Sequence, residues 1–386
     1  MRIVHIANFY GPRSGGIKTT VHELGKGYVA AGHEFTFIVP GVRYAFESTP
    51  YGRKITLPSI EIPGSGSYRI IKNNAELKEY LEFLKPDRIE VSDRFTLGSV
   101  GKWAQARAIP TAVFSHETLR GLANRFLPPF LPRKFLVNLH NRFLAARFDQ
   151  VIATTNFAAK EFREIGTKNL ELVPLGVDLY NFSPFHRSIR LRHELLQGAE
   201  ILLVHCGRLS PEKEPQRSIE ALEELLSRGI EARLVIMGTG PMERKLRSLA
   251  TGLPVTMLGY VADRFRVAEI LASADISLAP GPLETFCLSA LESLASGTPV
   301  VASHSSAVGE FIGVSGSAGA VAADDGESFA DAIEALMSRE LLRKEARAAA
   351  EALPWAETVR KMLALHGIDS LQTVGALESS QESEAA

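Results

Sequence analysis

The sequence predicts an α/β chain of two doubly wound, Rossmann-like domains in tandem. Three observations carry this. The apolar run "RIVHIANFY" (2–10), the glycine-rich loop "GPRSGG" (11–16), a segment with Ile17, Val21, Leu24 and Tyr28 at helical spacing, and "EFTFIVPG" (34–41) form a βαβ unit, which implies a parallel sheet. A second alternating series starts at "EILLVHCGRLS" (200–210). Between the two, "GVDLYNFSPFHRSIRLRHELL" (176–196) turns polar and irregular, which sets a domain boundary near 180–198.

Taken in order, the first domain (1–182) adds strands at "RIEVSD" (88–93), "TAVFSH" (111–116) and "QVIATT" (150–155), with helical segments between them. The second (199–350) reads as helix "SIEALEELLSRG", strand "ARLVIMGTG", helix "PMERKLRSLA", strand "VTMLGYV", helix "AEILASA", strand "ISLAP", helix within "PLETFCLSALESL" and strand "TPVVAS". Residues 351–366 read as a closing helix, and 367–386, rich in Ser, Glu and Ala, as a disordered tail with little to bury.

Composition bounds the function. The chain has 386 residues, is 45% hydrophobic and 23% charged, and carries a net charge of −1, so no global field recruits nucleic acid or anionic membrane. Its two cysteines, Cys206 and Cys287, lie far apart in apolar segments, which fits a reducing cytoplasm rather than a disulfide framework. No apolar run reaches the ~18 residues of a membrane span, and the N-terminus shows no long apolar region of a signal peptide. A cytosolic protein is expected.

Chemistry concentrates in "PLETFCLSALESL" (282–294). With the helix beginning near Phe286, Glu284 lies just ahead of it and Glu292 inside it, about 9 Å along the axis at 1.5 Å per residue. A helix start offers unpaired N–H groups and partial positive charge, which suit a phosphate. A nucleotide sugar lying along this end would place its sugar near Glu284, its diphosphate at the N–H groups of Phe286, Cys287, Leu288 and Ser289, and its ribose near Glu292. The alternative is a dipole-favouring acid plus a solvated surface glutamate. In "CGRLSPEKEP", Arg208 and Lys213 lead into a helix and suit a diphosphate, the arginine as a fork and the lysine as a point charge. The alternative there is an ordinary charged loop whose cations pair with Glu212 and Glu214.

"GRLSPEK" together with "ETFCLSALE" resembles the retaining GT-B glycosyltransferases of the glycosyltransferase 4 group, whose fingerprint is a GR-x-x-x-x-K loop and an E-x7-E helix start. "PLGVDLYNFSP", "MGTGP", "LGYV" and "LPWAETVRKML" extend the resemblance over nearly the whole chain. It implies that Arg208 and Lys213 neutralise the departing diphosphate, that Glu284 contacts the donor sugar, that Glu292 binds ribose, and that the backbone at Val261 meets the base. Many members have glycine where this chain has Cys287, which narrows the room beside the phosphate.

In the first half, "GPRSGGIKT" misses the Walker pattern because Ile17 precedes Lys18. Gly15 and Gly16 instead match the family's first glycine-rich loop, which implies a place close to the donor phosphates. The bland alternative is a tight βα turn. His116 ends a predicted strand, where doubly wound folds place ligands, and matches a family histidine at the sugar-reacting face. Asp93, also at a strand end, is expected to contact the acceptor.

Segment 119–148 holds six Arg/Lys, five Phe and no acid. Such a basic, aromatic stretch reads as a membrane-surface element, with Arg120, Arg125, Arg133, Lys134 and Arg142 toward anionic lipid. The alternative is a helix pair with its apolar face in the core. Within the family, "ANFYGPRSGG", "LLVHCGRLS" and "LASADISLAPGPLETF" resemble the phosphatidylinositol mannosyltransferases of actinobacteria. That implies hexose transfer with retained configuration, GDP-mannose as donor, and a phosphoinositide glycolipid acceptor at the cytoplasmic face of the membrane. No DxD-like pair or His/Cys cluster implies a metal, and neither a further cofactor nor an obligatory protein partner is expected. Three alternatives remain: a UDP-sugar enzyme with a soluble acceptor, a sugar-nucleotide epimerase, and a non-catalytic membrane-associated nucleotide-binding scaffold.

Overall fold

The buried run Ile3, Val4, His5 and Ile6 forms the centre of the first sheet, because strands covered on both faces read as continuous rather than alternating apolar sequence. The computed structural model describes residues 1–11, 15–62, 68–128, 130–312, 317–340 and 342–368. The chain divides into two units, Met1–Gly176 with Trp355–Ala386, and Val177–Pro354.

Among the described residues, unit 1 holds strands β1 (Arg2–Ile6), β2 (Glu34–Gly41), β3 (Ala45–Thr49), β4 (Gly52–Glu61), β5 (Arg69–Ile71), β6 (Arg88–Val91), β7 (Thr111–Ser115), β8 (Gln150–Ala153) and β9 (Leu170–Leu172). They are ordered β3-β4-β2-β1-β6-β7-β8-β9, with β5 also on β4. The pairings are parallel except β3 with β4 and β4 with β5. The antiparallel β3–β5 ribbon was not visible in the sequence, where its mixed polar and apolar residues follow no clean period.

Unit 2 holds β10 (Ile201–Cys206), β11 (Ala232–Met237), β12 (Val255–Gly259), β13 (Ile276–Ala279), β14 (Val300–Ser303) and β15 (Gly319–Ala322), all parallel, in the order β12-β11-β10-β13-β14-β15. This is the doubly wound order whose direction reverses between β10 and β13, and the carboxyl ends of such strands are where doubly wound folds place ligands. In unit 1 the reversal falls between β1 and β6 by the same rule.

Two expected boundaries move. Residues 177–182 belong to unit 2, where Arg347 donates to the carbonyl oxygens of Leu179 (3.2 Å), Phe182 (2.8 Å) and Ala295 (2.8 Å). The closing helix starts at Trp355 rather than 351, since Glu351 ends the preceding helix, Leu342–Glu351. Helix Trp355–Leu365 then packs in unit 1, where Val359, Met362 and Leu363 join the core with Val21, Leu24 and Tyr28, and Thr358 donates to the carbonyl of Pro174 at 2.9 Å. Of the tail expected to be disordered, residues 369–386 lie outside the described residues.

Candidate active site

The loop after β10 owes its shape to a close approach of backbones. Leu209 N–H donates to the carbonyl of Thr239 (3.0 Å), and Met242 N–H donates to that of Leu209 (2.9 Å). A Cβ at Gly238 would lie 1.8 Å from the carbonyl oxygen of Gly207, and one at Gly240 2.2 Å from that of Leu209. Only glycine permits this contact, so the "MGTG" turn clamps the strand-end loop that presents Arg208.

Across the switch point, the loop after β13 carries Glu284. Its carboxylate accepts from Lys213 Nζ at 2.5 Å, while Arg208 pairs with Glu212. The topology thus brings Arg208, Lys213 and Glu284 to the carboxyl ends of β10 and β13. Burial works against the Lys213 charge, but the facing Glu284 carboxylate outweighs it and holds the ammonium above its ordinary range. A fourth residue fixes this arrangement and was missed from sequence. Arg217, buried in helix Gln216–Ser227, donates to the Pro280 carbonyl at 2.6 Å, and pairs with Glu214 and with Asp324 at 3.1 Å. Arg217 precedes the helix expected at "SIEALEELLSRG", and nothing in that pattern signals its burial.

The expected helix start is corrected. Helix Leu288–Ala295 begins at Leu288, not near Phe286, because Cys287 takes a left-handed backbone (φ 66°) as its N-cap. No side chain caps that end, so the helix-start N–H groups begin at Leu288 and Ser289. Phe286 points inward and is buried against Phe311 (centroids 5.3 Å apart), so its side chain belongs to the core. The left-handed region also explains why glycine suits position 287, since a side chain there carries strain of about 1–2 kcal/mol. Burial, then the Glu284 charge, pushes the Cys287 thiol up to about 12, so it stays protonated.

Glu292, buried within this helix, accepts from Arg264 Nη2 at 2.7 Å, and the Arg264 guanidinium lies 4.7 Å from the Phe182 ring centroid. Val261 lies half-buried between β12 and helix Arg264–Ser273, at the same sheet end.

In unit 1, Gly15 precedes helix Gly16–Ala30 with no side-chain cap, and a Cβ at Gly15 or Gly16 would meet no heavy atom within 4 Å. Among the described residues, no packing demands glycine at either position. Residues 12–14 of the same loop lie outside the described residues.

His116 follows β7, its ring nearly parallel to Phe114 (5.6 Å, 7°) and its Nε2 2.9 Å from Ser92 Oγ. Burial, assisted by His5, lowers its pKa to about 3, so the imidazole is neutral at physiological pH. Asp93 departs from expectation. It is buried and accepts from Asn8 Nδ2 (2.9 Å), Phe95 N–H (2.7 Å), Thr96 N–H (3.2 Å) and the Thr96 hydroxyl. Its carboxylate anchors the loop after β6 and has little left for an acceptor hydroxyl.

The basic segment forms helices Leu119–Phe126 and Arg133–Ala145. Not all of its cations face outward. Arg120 makes a two-pronged pair with Glu164 (2.6 and 2.9 Å), and Arg133 closes the preceding helix by donating to the carbonyls of Leu127 and Pro128. The side chain of Arg125 lies outside the described residues. Lys134 and Arg142 are exposed, and so are Phe130, Phe135, Leu139 and Phe143. Positions 135, 139 and 143 share one helix face, opposite the buried Val137, Asn141 and Leu144.

The switch point of unit 2, with Arg208 and Lys213 beside an uncapped helix start, has the chemistry to hold an anion such as the phosphates of a nucleotide. Comparison with known proteins agrees. The profile for "Glycosyltransferase Family 4" matches residues 14–180, and that for "Glycosyl transferases group 1" matches residues 200–339. The chain is 46% identical over 376 residues, 97% of its length and 98% of the relative's, to a GDP-mannose-dependent alpha-(1-6)-phosphatidylinositol dimannoside mannosyltransferase of Mycobacterium tuberculosis. It is 27% identical over 309 residues, 78% of its length and 72% of the relative's, to a GDP-mannose-dependent alpha-mannosyltransferase of Corynebacterium glutamicum. Among solved structures, sucrose-phosphate synthase from Thermosynechococcus elongatus superposes with a TM-score of 0.76 at 21% identity, covering 95% of this chain and 98% of that one. The chain belongs to the family 4 glycosyltransferases and has their GT-B fold of two Rossmann-like domains.

Proposed function

We propose that this protein transfers mannose from GDP-mannose, with retained anomeric configuration, to a hydroxyl of a phosphatidylinositol mannoside at the cytoplasmic face of the membrane. The observation that carries the reading is the grouping of Arg208, Lys213, Glu284 and the uncapped start of helix Leu288–Ala295 at one switch point, in a chain 46% identical over 97% of its length to a mannosyltransferase of that acceptor class.

The chemistry follows from charge. Lys213 and Arg208 exchange their carboxylate partners for the diphosphate oxygens and stabilise the negative charge that grows there as the glycosidic bond breaks. Glu284 accepts from sugar hydroxyls. Glu292, which is buried and paired with Arg264, accepts from ribose hydroxyls in this reading. Neutral His116 hydrogen-bonds the sugar at its reacting face, and a departing phosphate oxygen takes the acceptor's proton on that same face. The Gly15–Gly16 loop leaves room for phosphate approach.

Membrane contact is assigned to the outward face of Arg133–Ala145. A helix that already buries Val137 and Leu144 has no packing use for exposed Phe135, Leu139 and Phe143, whereas a lipid surface does, with Lys134 and Arg142 beside them. No helix among the described residues is long and apolar enough to cross a membrane.

The test uses purified protein with GDP-mannose or UDP-glucose, each with and without vesicles containing phosphatidylinositol dimannoside. GDP release that requires those vesicles and yields a lipid with one more mannose supports the reading. Turnover of UDP-glucose, or transfer to a soluble acceptor only, overturns it.

A further inference from the structure

The switch-point site uses none of residues 184–193, "PFHRSIRLRH", a stretch with three arginines, two histidines and no acid. They form the 3-10 turn Pro184–His186 and the beginning of helix Ile189–Leu196, all within unit 2. Asp275, just ahead of β13, fixes where they lie. It pairs with Arg192 at 2.7 Å and accepts from the N–H of Leu202, near the start of β10, at 2.8 Å. The segment therefore sits at the amino ends of these strands, whereas Arg208, Lys213 and Glu284 lie at the carboxyl ends.

Two of its side chains protrude from the protein. Phe185 is 97% exposed and Ile189 83%. Leu191 is the buried residue of helix Ile189–Leu196, so packing of that helix has no use for Ile189. Such bulky apolar groups in water mark a contact surface when they cluster and something beside them selects a partner.

Here the selecting feature is charge. Arg187, between the two, is exposed and forms no ion pair among the described residues. Arg190 pairs with Glu194 at 3.0 Å, but both side chains stand in solvent, where such a pair holds weakly. Arg343 reaches the same place from helix Leu342–Glu351 and donates to the carbonyls of Ala272 and Ala274, the latter at 2.8 Å. Burial, and then the charge of Arg187, bring Arg343 down to about 10, so the cations here outweigh Asp275.

We propose that Phe185, Ile189, Arg187 and Arg190 form a second lipid-contact surface, on unit 2, for the anionic face of a bilayer. The occupant follows from shape and charge. A protein partner would need pockets cut to two protruding side chains, whereas acyl chains close around any shape and anionic headgroups pair with the arginines. A single weak anchor gives only marginal attachment, and stable attachment takes two. The outward face of helix Arg133–Ala145 is the other anchor, and this division of roles rests on the functional reading above.

The experiment is co-sedimentation of full-length protein with vesicles of phosphatidylglycerol and phosphatidylcholine, and with phosphatidylcholine alone. Phe185→Ser with Ile189→Ser should weaken binding to the mixed vesicles about tenfold or more. Arg187→Gln with Arg190→Gln should do the same on the mixed vesicles only, and Arg187→Lys with Arg190→Lys should restore it. GDP affinity should stay at the wild-type value in all three, since the nucleotide site lies at the other end of the strands. Binding by either of the first two pairs within about twofold of wild type overturns the proposal. If Phe135→Ser with Phe143→Ser still removes binding in that case, the unit 1 contact stands alone. Loss of binding in the Phe185 and Ile189 pair, with full binding in the Phe135 and Phe143 pair, refutes the unit 1 contact and leaves this surface standing. No vesicle binding by the wild type overturns this surface, while mannosyl transfer to detergent-dispersed phosphatidylinositol dimannoside would leave the proposed reaction intact.

Discussion

Replacing Lys213 by methionine removes the charge that pairs with Glu284 and that is proposed to face the diphosphate. The side chains are similar in length, so packing in the half-buried loop is nearly kept. Unit charge developing on the leaving phosphate about 4 Å from Nζ is worth about 4 kcal/mol at an effective permittivity near 20. That is about a thousandfold in rate, at 1.36 kcal/mol per decade. Methionine also leaves the Glu284 carboxylate facing the phosphates without its partner, which adds to the loss. Lys213→Arg keeps the charge with a bulkier fork and should retain far more activity. The assay is single-turnover transfer from radiolabelled GDP-mannose to phosphatidylinositol dimannoside vesicles, with GDP affinity measured separately by calorimetry. Lys213→Met should lose about three decades or more of kcat/KM, most of it in the chemical step. Activity within about threefold of wild type would refute the assignment of leaving-group stabilisation to this residue.

Other parts of the structure give sharp expectations. Glu292→Gln weakens the ribose contact and frees Arg264, so GDP affinity by calorimetry should fall about tenfold while fold and melting temperature are kept. Arg94 is fully buried and donates to Ser115, Glu117, Asn141 and Glu161. Arg94→Met strands the buried Glu161 carboxylate and should cost about 3–5 kcal/mol in urea unfolding. Glu90, depressed from an ordinary 4.5 to about 2, contributes stability that is complete above about pH 4.5 and lost as pH falls toward 2. Glu90→Gln should flatten that acid limb in a pH series of melts. Phe135→Ser with Phe143→Ser removes two exposed aromatics and should abolish vesicle co-sedimentation while leaving GDP affinity unchanged.

What the sequence revealed, and what it hid, follows from distance along the chain. The βαβ runs and the loops at Arg208 and Glu284 were legible because each is written in contiguous residues. The pairing of Lys213 with Glu284, 71 positions apart, was not, because strand order decides which strand-end loops meet. The same holds for His5 and Glu90, 85 positions apart, although an acid and a histidine inside two otherwise apolar strands were visible signals of a buried polar contact. The helix start was misplaced because nothing in the local pattern announces a left-handed cysteine at position 287. The strand expected over 88–93 ends at Val91, so Asp93 lies in the turn that follows, which uses its carboxylate, since a short acid there satisfies the N–H groups of Phe95 and Thr96. Arg120 and Arg133 counted toward the basic patch by composition but are held by Glu164 and by helix-end carbonyls, which composition does not register.

The central claim is that the switch point of the second unit seats the donor nucleotide. Amide hydrogen exchange with and without saturating GDP tests it most directly. The account predicts new protection at residues 207–213, at Leu288 and Ser289, and around Val261. Protection confined to the first unit, with these segments unchanged, would contradict it.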